Sequence, residues 1–250
     1  MENEGASRQR RLEMTESKKW PAIRLSVATL LAMLLIGQLT SRGLNSAGAV
    51  MTPGSAAANL GLLLDRLQQH YQATKSFSAK FDETITRAGA PPLERSGVIY
   101  YQKPGKLRWE FEGSQPETIV SDGKMIYDYD PALNQVLETP LAQAFRSQAA
   151  AAFLLGAGKV KRDFKAEAIS APNSNGLAHV ALTPKNGGER IEAGIDRKTY
   201  NITTLSIGDA MGNRTDLSFS DLKLNQPLHS SQFTFTPPNG ADIVSSRGAQ

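Results

Sequence analysis

The sequence predicts an α+β protein, mainly antiparallel β, with about eleven strands and few helices. Apolar and polar residues alternate with a period of two over most of the stretch from Ser76 to Thr236. Turn signals recur between these runs, at Asp122-Gly123, Asp130-Pro131, Asn173–Gly176, Asn186–Gly188 and Met211–Asn213. Only two segments, 59–73 and Leu141–Leu155, read as helical. An antiparallel sheet with one apolar face must cover that face. Two helices are too few to seal so wide a sheet as tightly as a normal core, so some apolar surface is expected to remain as a cavity.

Residues 1–49 differ from the rest. A basic leader with Arg8, Arg10, Arg11, Lys18, Lys19 and Arg24 precedes the uncharged run Leu25–Ser41, and Ala47-Gly48-Ala49 supplies small residues for a signal peptidase. The run would span about 25 Å as a helix, short of a bilayer core of roughly 30 Å. A cleaved secretory signal is therefore expected over 1–49, with a retained anchor as the alternative. The leader holds 7 of the 28 basic and 4 of the 24 acidic residues, so the remaining 201 residues carry a net charge of only about +1. The basicity belongs to the leader, and no nucleic-acid footprint survives its removal. Cysteine is absent. An exported chain without it has no disulfides and no cysteine for lipidation of its own N-terminus, so burial alone must stabilise one domain.

Residues 50–58 are small and polar and read as a flexible lead-in to a single domain over 59–250. Asn59 is a fitting N-cap for a helix to about Ala73, whose apolar stripe is Leu60, Leu63, Leu64, Leu67 and Tyr71. Phe77, Ala79 and Phe81 then alternate with polar residues in a first strand, and Gly97–Lys103 starts the next. Lys103–Gly105 turns the chain into a strand holding Leu107, Trp109 and Phe111. The Asp122-Gly123 hairpin follows, with Tyr127 and Tyr129 assigned to the same aromatic face. Leu141–Leu155 is alanine-rich and free of β-branched residues, hence helical. Six further strands are expected, at Asp163–Ile169, Leu177–Thr183, Arg190–Ile195, Ile202–Ile207, Thr215–Leu224 and Gln232–Thr236.

Catalytic chemistry finds little support. The three histidines are unpartnered in spacing: His70 on the polar side of the first helix, His179 in a strand, His229 in a loop. No metal-ligand pattern, phosphate loop or nucleophile elbow occurs. Asp128 and Asp130 share a strand face and resemble a glycosidase carboxylate pair, but the wet face of a half-buried strand explains them as well. No catalytic residue, metal or cofactor is assigned. Aromatic residues at strand spacing are, by themselves, most often core.

At these residues the chain resembles a known family. KPGKLRWE (Lys103–Glu110), IVSDGKMIYDYDP (Ile119–Pro131), LNQV (Leu133–Val136) and FTFTPPNG (Phe233–Gly240) look like LolA, the periplasmic lipoprotein carriers of Gram-negative bacteria, in the family's order. The similarity runs from about Leu60 to Ile243. It implies an unclosed half β-barrel under a helical lid that encloses an apolar cavity. It also implies a monomeric, non-enzymatic periplasmic protein. Such carriers take acylated lipoproteins from an inner-membrane ABC transporter and pass them to an outer-membrane lipoprotein acceptor.

By position, Leu107 and Trp109 correspond to family cavity residues. Phe77, Phe81, Ile99 and Tyr101 should line the same face, and Leu67 and Tyr71 should belong to the lid. The family commonly places an arginine before the proline of the first motif, bonded to lid backbone. Lys103 stands there, with three donors but no planar fork. The alternative within this fold is a regulatory protein that senses lipid or lipoprotein.

Overall fold

Alternation over residues 76–140 and again over 164–224 favours long strands joined by short turns, and the fold follows from that pattern. The computed structural model describes residues 53–144, 158–170, 176–186, 189–208 and 212–245. The expected signal segment, 1–49, and the expected alanine-rich helix beyond residue 144 lie outside the described residues. At the start of the latter, Leu141–Gln143 makes one 3-10 turn with Leu141 buried.

The chain begins with helix α1 (Pro53–Ala73). It starts six residues before Asn59, which is therefore an interior residue and not the N-cap. Proline is compatible with a first helical turn and the alanines that follow favour helix, so the chain from Pro53 is helical where a flexible lead-in to residue 58 is expected from its small, polar composition. Leu64, Leu67 and Tyr71 are buried, and Leu60 and Leu63 pack partly buried beside them.

Strands β1 (Ser76–Thr86), β2 (Leu93–Gln102), β3 (Lys106–Glu112), β4 (Glu117–Asp122), β5 (Met125–Asp130) and β6 (Gln135–Pro140) form a meander. A short helix α2 (Val160–Asp163) precedes β7 (Phe164–Ile169), and β8 (Leu177–Pro184), β9 (Arg190–Asp196), β10 (Ile202–Gly208) and β11 (Arg214–Leu224) form a second meander. The last strand is β12 (Asp242–Ser245). One sheet of twelve strands results, in the order β12-β6-β5-β4-β3-β2-β1-β11-β10-β9-β8-β7. Pairing of β1 with β11 joins the two meanders, and β12 and β7 stay at the edges, so the sheet is not closed. Inward residues of both meanders share one apolar cluster with α1, which means that the sheet wraps around the helix.

Three details depart from expectation. The β4–β5 hairpin is closed by Gly123-Lys124, not by Asp122-Gly123: Ser121 faces Ile126, which makes Asp122 and Met125 the strand ends. Gly123 takes the left-handed φ of +96° that this loop requires. Asp122 Oδ1 accepts from the backbone N–H groups of Lys124 and Met125 at 2.7 and 2.8 Å.

Gln232–Thr236 is not a strand. Ser230–Phe233 forms a 3-10 turn in which Gln232 Oε1 accepts from His229 N at 3.0 Å, and two prolines follow at 237 and 238. Prolines cannot donate to a ladder. The pairing role passes to β12, which runs parallel to β6, the exception in an otherwise antiparallel sheet.

The third departure concerns β5. Cross-strand partners share a face, and Trp109 pairs with Ile119, which pairs with Asp128. Asp128 therefore faces inward with Trp109, while Tyr127 and Tyr129 point to the opposite face. There they meet Phe235, whose ring centre lies 5.5 Å from that of Tyr127 and 6.1 Å from that of Tyr129. The C-terminal segment supplies an apolar cover on the outside, and that reverses the face the tyrosines occupy.

Candidate functional site

The inner face of β1–β3 is built from alternate residues. Phe77, Ala79 and Phe81 on β1 oppose Tyr101, Ile99 and Gly97 on β2, which oppose Leu107, Trp109 and Phe111 on β3. Phe81 stands edge-on to Trp109 (ring centres 5.1 Å) and to Phe111 (5.2 Å), and Trp109 stacks on Phe111 at 5.3 Å. Phe77 lies 5.3 Å from Tyr101. Gly97 makes this possible: a Cβ there would sit 1.9 Å from the Glu110 carbonyl oxygen and 3.1 Å from the Phe81 ring. The result is an aromatic floor under the C-terminal half of α1.

All eight expected lining residues meet at this floor or on its cover. Leu67, Tyr71, Phe77, Phe81, Ile99, Tyr101, Leu107 and Trp109 are each between 0 and 2 % exposed and belong to one cluster. Burial raises the pKa of Tyr101, with Tyr71 adding to the shift. Within the described residues, α1 lies directly on the floor.

Polar ties hold that cover. Lys103 Nζ donates to the Tyr71 carbonyl oxygen at 2.5 Å and lies 4.0 Å from the centre of the Tyr71 ring. Burial lowers the Lys103 pKa to about 8. Gln68 bridges to the segment that enters α2: its Nε2 donates to Gly158 O at 3.2 Å and its Oε1 accepts from Val160 N at 2.8 Å. Asp65 and Lys161 form an exposed ion pair at 2.6 Å.

His70 corrects an expectation. It is buried, not on a polar face, because the β9–β10 turn reaches over the last turn of α1. Its Nε2 lies 2.9 Å from Asn201 Oδ1, and burial lowers its pKa to about 4. The neutral ring therefore donates from Nε2 to the amide oxygen. Lys103 and His70 tie adjacent residues of α1 to turns on opposite halves of the sheet.

At the other end of the floor the character changes. Glu83, Arg95 and Glu117 face inward in the next positions along their strands. Arg95 donates from Nε to Glu83 Oε2 at 2.8 Å and from Nη1 to Glu117 Oε2 at 2.6 Å, and its guanidinium lies 3.9 Å from the Phe111 ring centre. The side chains of Arg95, Glu83 and Glu117 are 8 %, 1 % and 12 % exposed. Asp128, expected on the wet side with Asp130, is buried at 2 % exposure beside this group. Burial first, then Glu117, raises its pKa well above the usual carboxylate range, against the opposing effect of Arg95. Sequence reasoning passed over Glu83, Arg95 and Glu117, although strict alternation with Phe81, Ile99 and Ile119 places each of them inward.

Among the described residues no group of three or more histidines and acids is placed to hold a metal, and no helix is long and apolar enough to cross a membrane. In this arrangement α1 covers the apolar floor.

The sequence profile of the family described as "Outer membrane lipoprotein carrier protein LolA" matches residues 72–236. An outer-membrane lipoprotein carrier protein of Dechloromonas aromatica is 34% identical over 185 residues, covering 72% of this chain and 86% of the relative. The protein of the same name from Cupriavidus necator is 32% identical over 201 residues, with 78% and 92% covered. A crystal structure of a LolA superfamily protein from Nitrosomonas europaea superimposes with a TM-score of 0.40 at 11% identity, over 70% of this chain and 97% of that one.

Proposed function

The chain belongs to the LolA family of outer-membrane lipoprotein carriers, and from that premise we propose that it is a periplasmic carrier that shields lipoprotein acyl chains between α1 and the aromatic floor. The observation that carries this reading is a continuous apolar floor, Phe77 to Trp109, covered by a helix tied down at separate polar points. Covering such chains has a clear energetic purpose. Each methylene moved from lipid to water costs about 0.8 kcal/mol, so a chain of about fifteen costs on the order of 12 kcal/mol.

Exchange of α1 for an acyl chain leaves the floor in apolar contact throughout. Leu64, Leu67 and Tyr71 withdraw and hydrocarbon takes their place, so the free-energy difference between empty and loaded forms stays modest. Lys103 acts as the latch of the empty form, because its bond to the Tyr71 carbonyl must break when α1 lifts. Loading comes from an inner-membrane ABC transporter, and unloading goes to an outer-membrane lipoprotein acceptor. The carrier acts as a monomer, without cofactor or catalysis.

The test is to incubate the protein with membranes that hold a radiolabelled lipoprotein, the transporter and ATP. A soluble one-to-one complex is expected, and label that stays in the membrane fraction overturns the reading.

A further inference from the structure

The apolar floor contains a polar atom that its surroundings do not satisfy. Trp109 is completely buried, and its indole Nε1–H has no acceptor among the described residues. An indole nitrogen is a donor only. Its ring neighbours are Phe81 and Phe111, with ring centres at 5.1 and 5.3 Å, and its cross-strand partners are Ile99 and Ile119. None of these side chains has a lone pair to offer. Leu64 and Leu67, which α1 adds to the same cluster, have none either.

A buried tryptophan N–H usually finds a partner, and a donor buried without one costs free energy. A purely apolar ring, such as those of Phe77, Phe81 and Phe111, fills a floor without that cost. The indole is therefore suited to a state other than the empty one. When α1 gives way to an acyl chain, the floor meets hydrocarbon that bears one strong acceptor. That acceptor is the carbonyl oxygen of the ester or amide joining the chain to its head group. A donor-only group in an apolar floor is the complement of such an oxygen.

We propose that Trp109 Nε1–H donates to the linkage carbonyl of a bound acyl chain, and that Trp109 thereby selects acyl-linked lipid over ether-linked lipid of the same length. The inference rests on the carrier reading and deepens it. Hydrocarbon contacts exchange evenly between α1 and cargo, whereas this donor is unpaired in the empty form and paired in the loaded one. The contact therefore favours loading. It also sets the register of the chain, with the carbonyl over β3 between Leu107 and Phe111 and the tail on the rest of the floor.

Monolauroylglycerol, lauroyl-aminopropanediol and dodecylglycerol ether share chain length and a diol head and differ in an ester, amide or ether linkage. Each should be titrated, as monomer, into the full chain labelled for NMR at tryptophan. The chain has two tryptophans, Trp20 and Trp109, and the Trp109 indole signal is the one lost in Trp109→Phe. A saturable downfield shift of that indole proton is expected with the ester or the amide. Binding of that lipid should be about fivefold tighter than binding of the ether, the factor for one neutral hydrogen bond, and the preference should vanish in Trp109→Phe. The tighter of the two carbonyl lipids identifies the linkage recognised. The indole signal is read in the wild type, so the test stands even where Trp109→Phe folds poorly. Equal binding of all three lipids with the indole proton unmoved, or a preference that persists in Trp109→Phe, overturns the proposal and leaves the carrier reading in place. Absence of saturable binding by any of the three overturns both.

Discussion

Lys103 Nζ lies 2.5 Å from the carbonyl oxygen of Tyr71 and 4.0 Å from the centre of the same residue's ring, so one cation holds the last turn of α1 at two points. Carbonyls in the last turn of a helix lack intrahelical partners, and a cation there also meets the negative end of the helix dipole. Lys103→Leu removes both contacts but preserves the apolar stem. We predict faster amide exchange at residues that follow Tyr71 in α1, with exchange in β1 and β11 unchanged, and slower delivery of cargo. Lys103→Arg should retain protection. Equal exchange in wild type and Lys103→Leu would show that the helix end is held by other contacts.

Leu107 tests the floor itself. Its side chain is buried between Tyr101 and Ser121 in cross-strand register, so a carboxylate there has no partner and resists burial under α1. Leu107→Glu should reduce cargo loading severely and lower the thermal midpoint, whereas Leu107→Met should cost less than about 1.5 kcal/mol and load normally. Full loading by the glutamate variant would remove Leu107 from the acyl-binding surface.

Much of this was legible in the sequence because the sheet follows a single rule. Alternation from Phe77 through Trp109 placed the floor correctly, and the stripe Leu64, Leu67, Tyr71 identified the face of α1 that covers it. The rule failed where a distant segment changed what counts as inside. Tyr127 and Tyr129 face outward because Phe235, more than a hundred positions later, arrives to cover them. Asp128 is then forced inward by the same alternation that was used to place it in water. Arg95 and Glu83 were hidden for another reason: a charged residue at an inward position reads as a break in the pattern until its partner on the next strand is known. His70 depended on Asn201, contributed by a turn that local sequence cannot bring to the helix.

The Arg95 group should be more costly to break than to replace. Arg95→Met leaves Glu83 and Glu117 buried without their shared cation, and removal of one partner from a buried pair typically costs about 3–5 kcal/mol. Urea unfolding should show a loss in that range. The triple variant Glu83→Leu, Arg95→Met, Glu117→Gln should recover most of it. A loss of less than about 1 kcal/mol for Arg95→Met, the scale of an exposed pair, would mean that the group is solvated.

Asp128 gives a pH dependence of opposite sign to that of most acids. Its carboxyl is held well above the ordinary range by burial and by Glu117, so the folded state binds the proton more tightly than the unfolded state. The stabilisation is complete below the unfolded pKa of about 3.9 and is lost as pH rises through the folded value. Asp128→Asn should therefore gain stability relative to wild type as pH rises, measured by urea unfolding at matched ionic strength. A constant difference across that range would show that Asp128 titrates normally.

His70 supplies the acid-side counterpart. Burial lowers its pKa to about 4 from 6.5, so the unfolded chain binds a proton that the folded chain refuses between those values. Stability from this group is fully present above pH 6.5 and declines as pH falls toward 4, by a total on the order of 3 kcal/mol. A glutamine keeps a donor for Asn201 and cannot titrate. The stability of wild type relative to His70→Gln should therefore drop across this window, while carboxylate effects common to both cancel in the comparison. The loss should be concentrated at the end of α1, seen as increased amide exchange near residue 70 at pH 5 in wild type alone. Parallel pH profiles for the two proteins would show that His70 is protonated without cost and that its bond to Asn201 does not hold the helix.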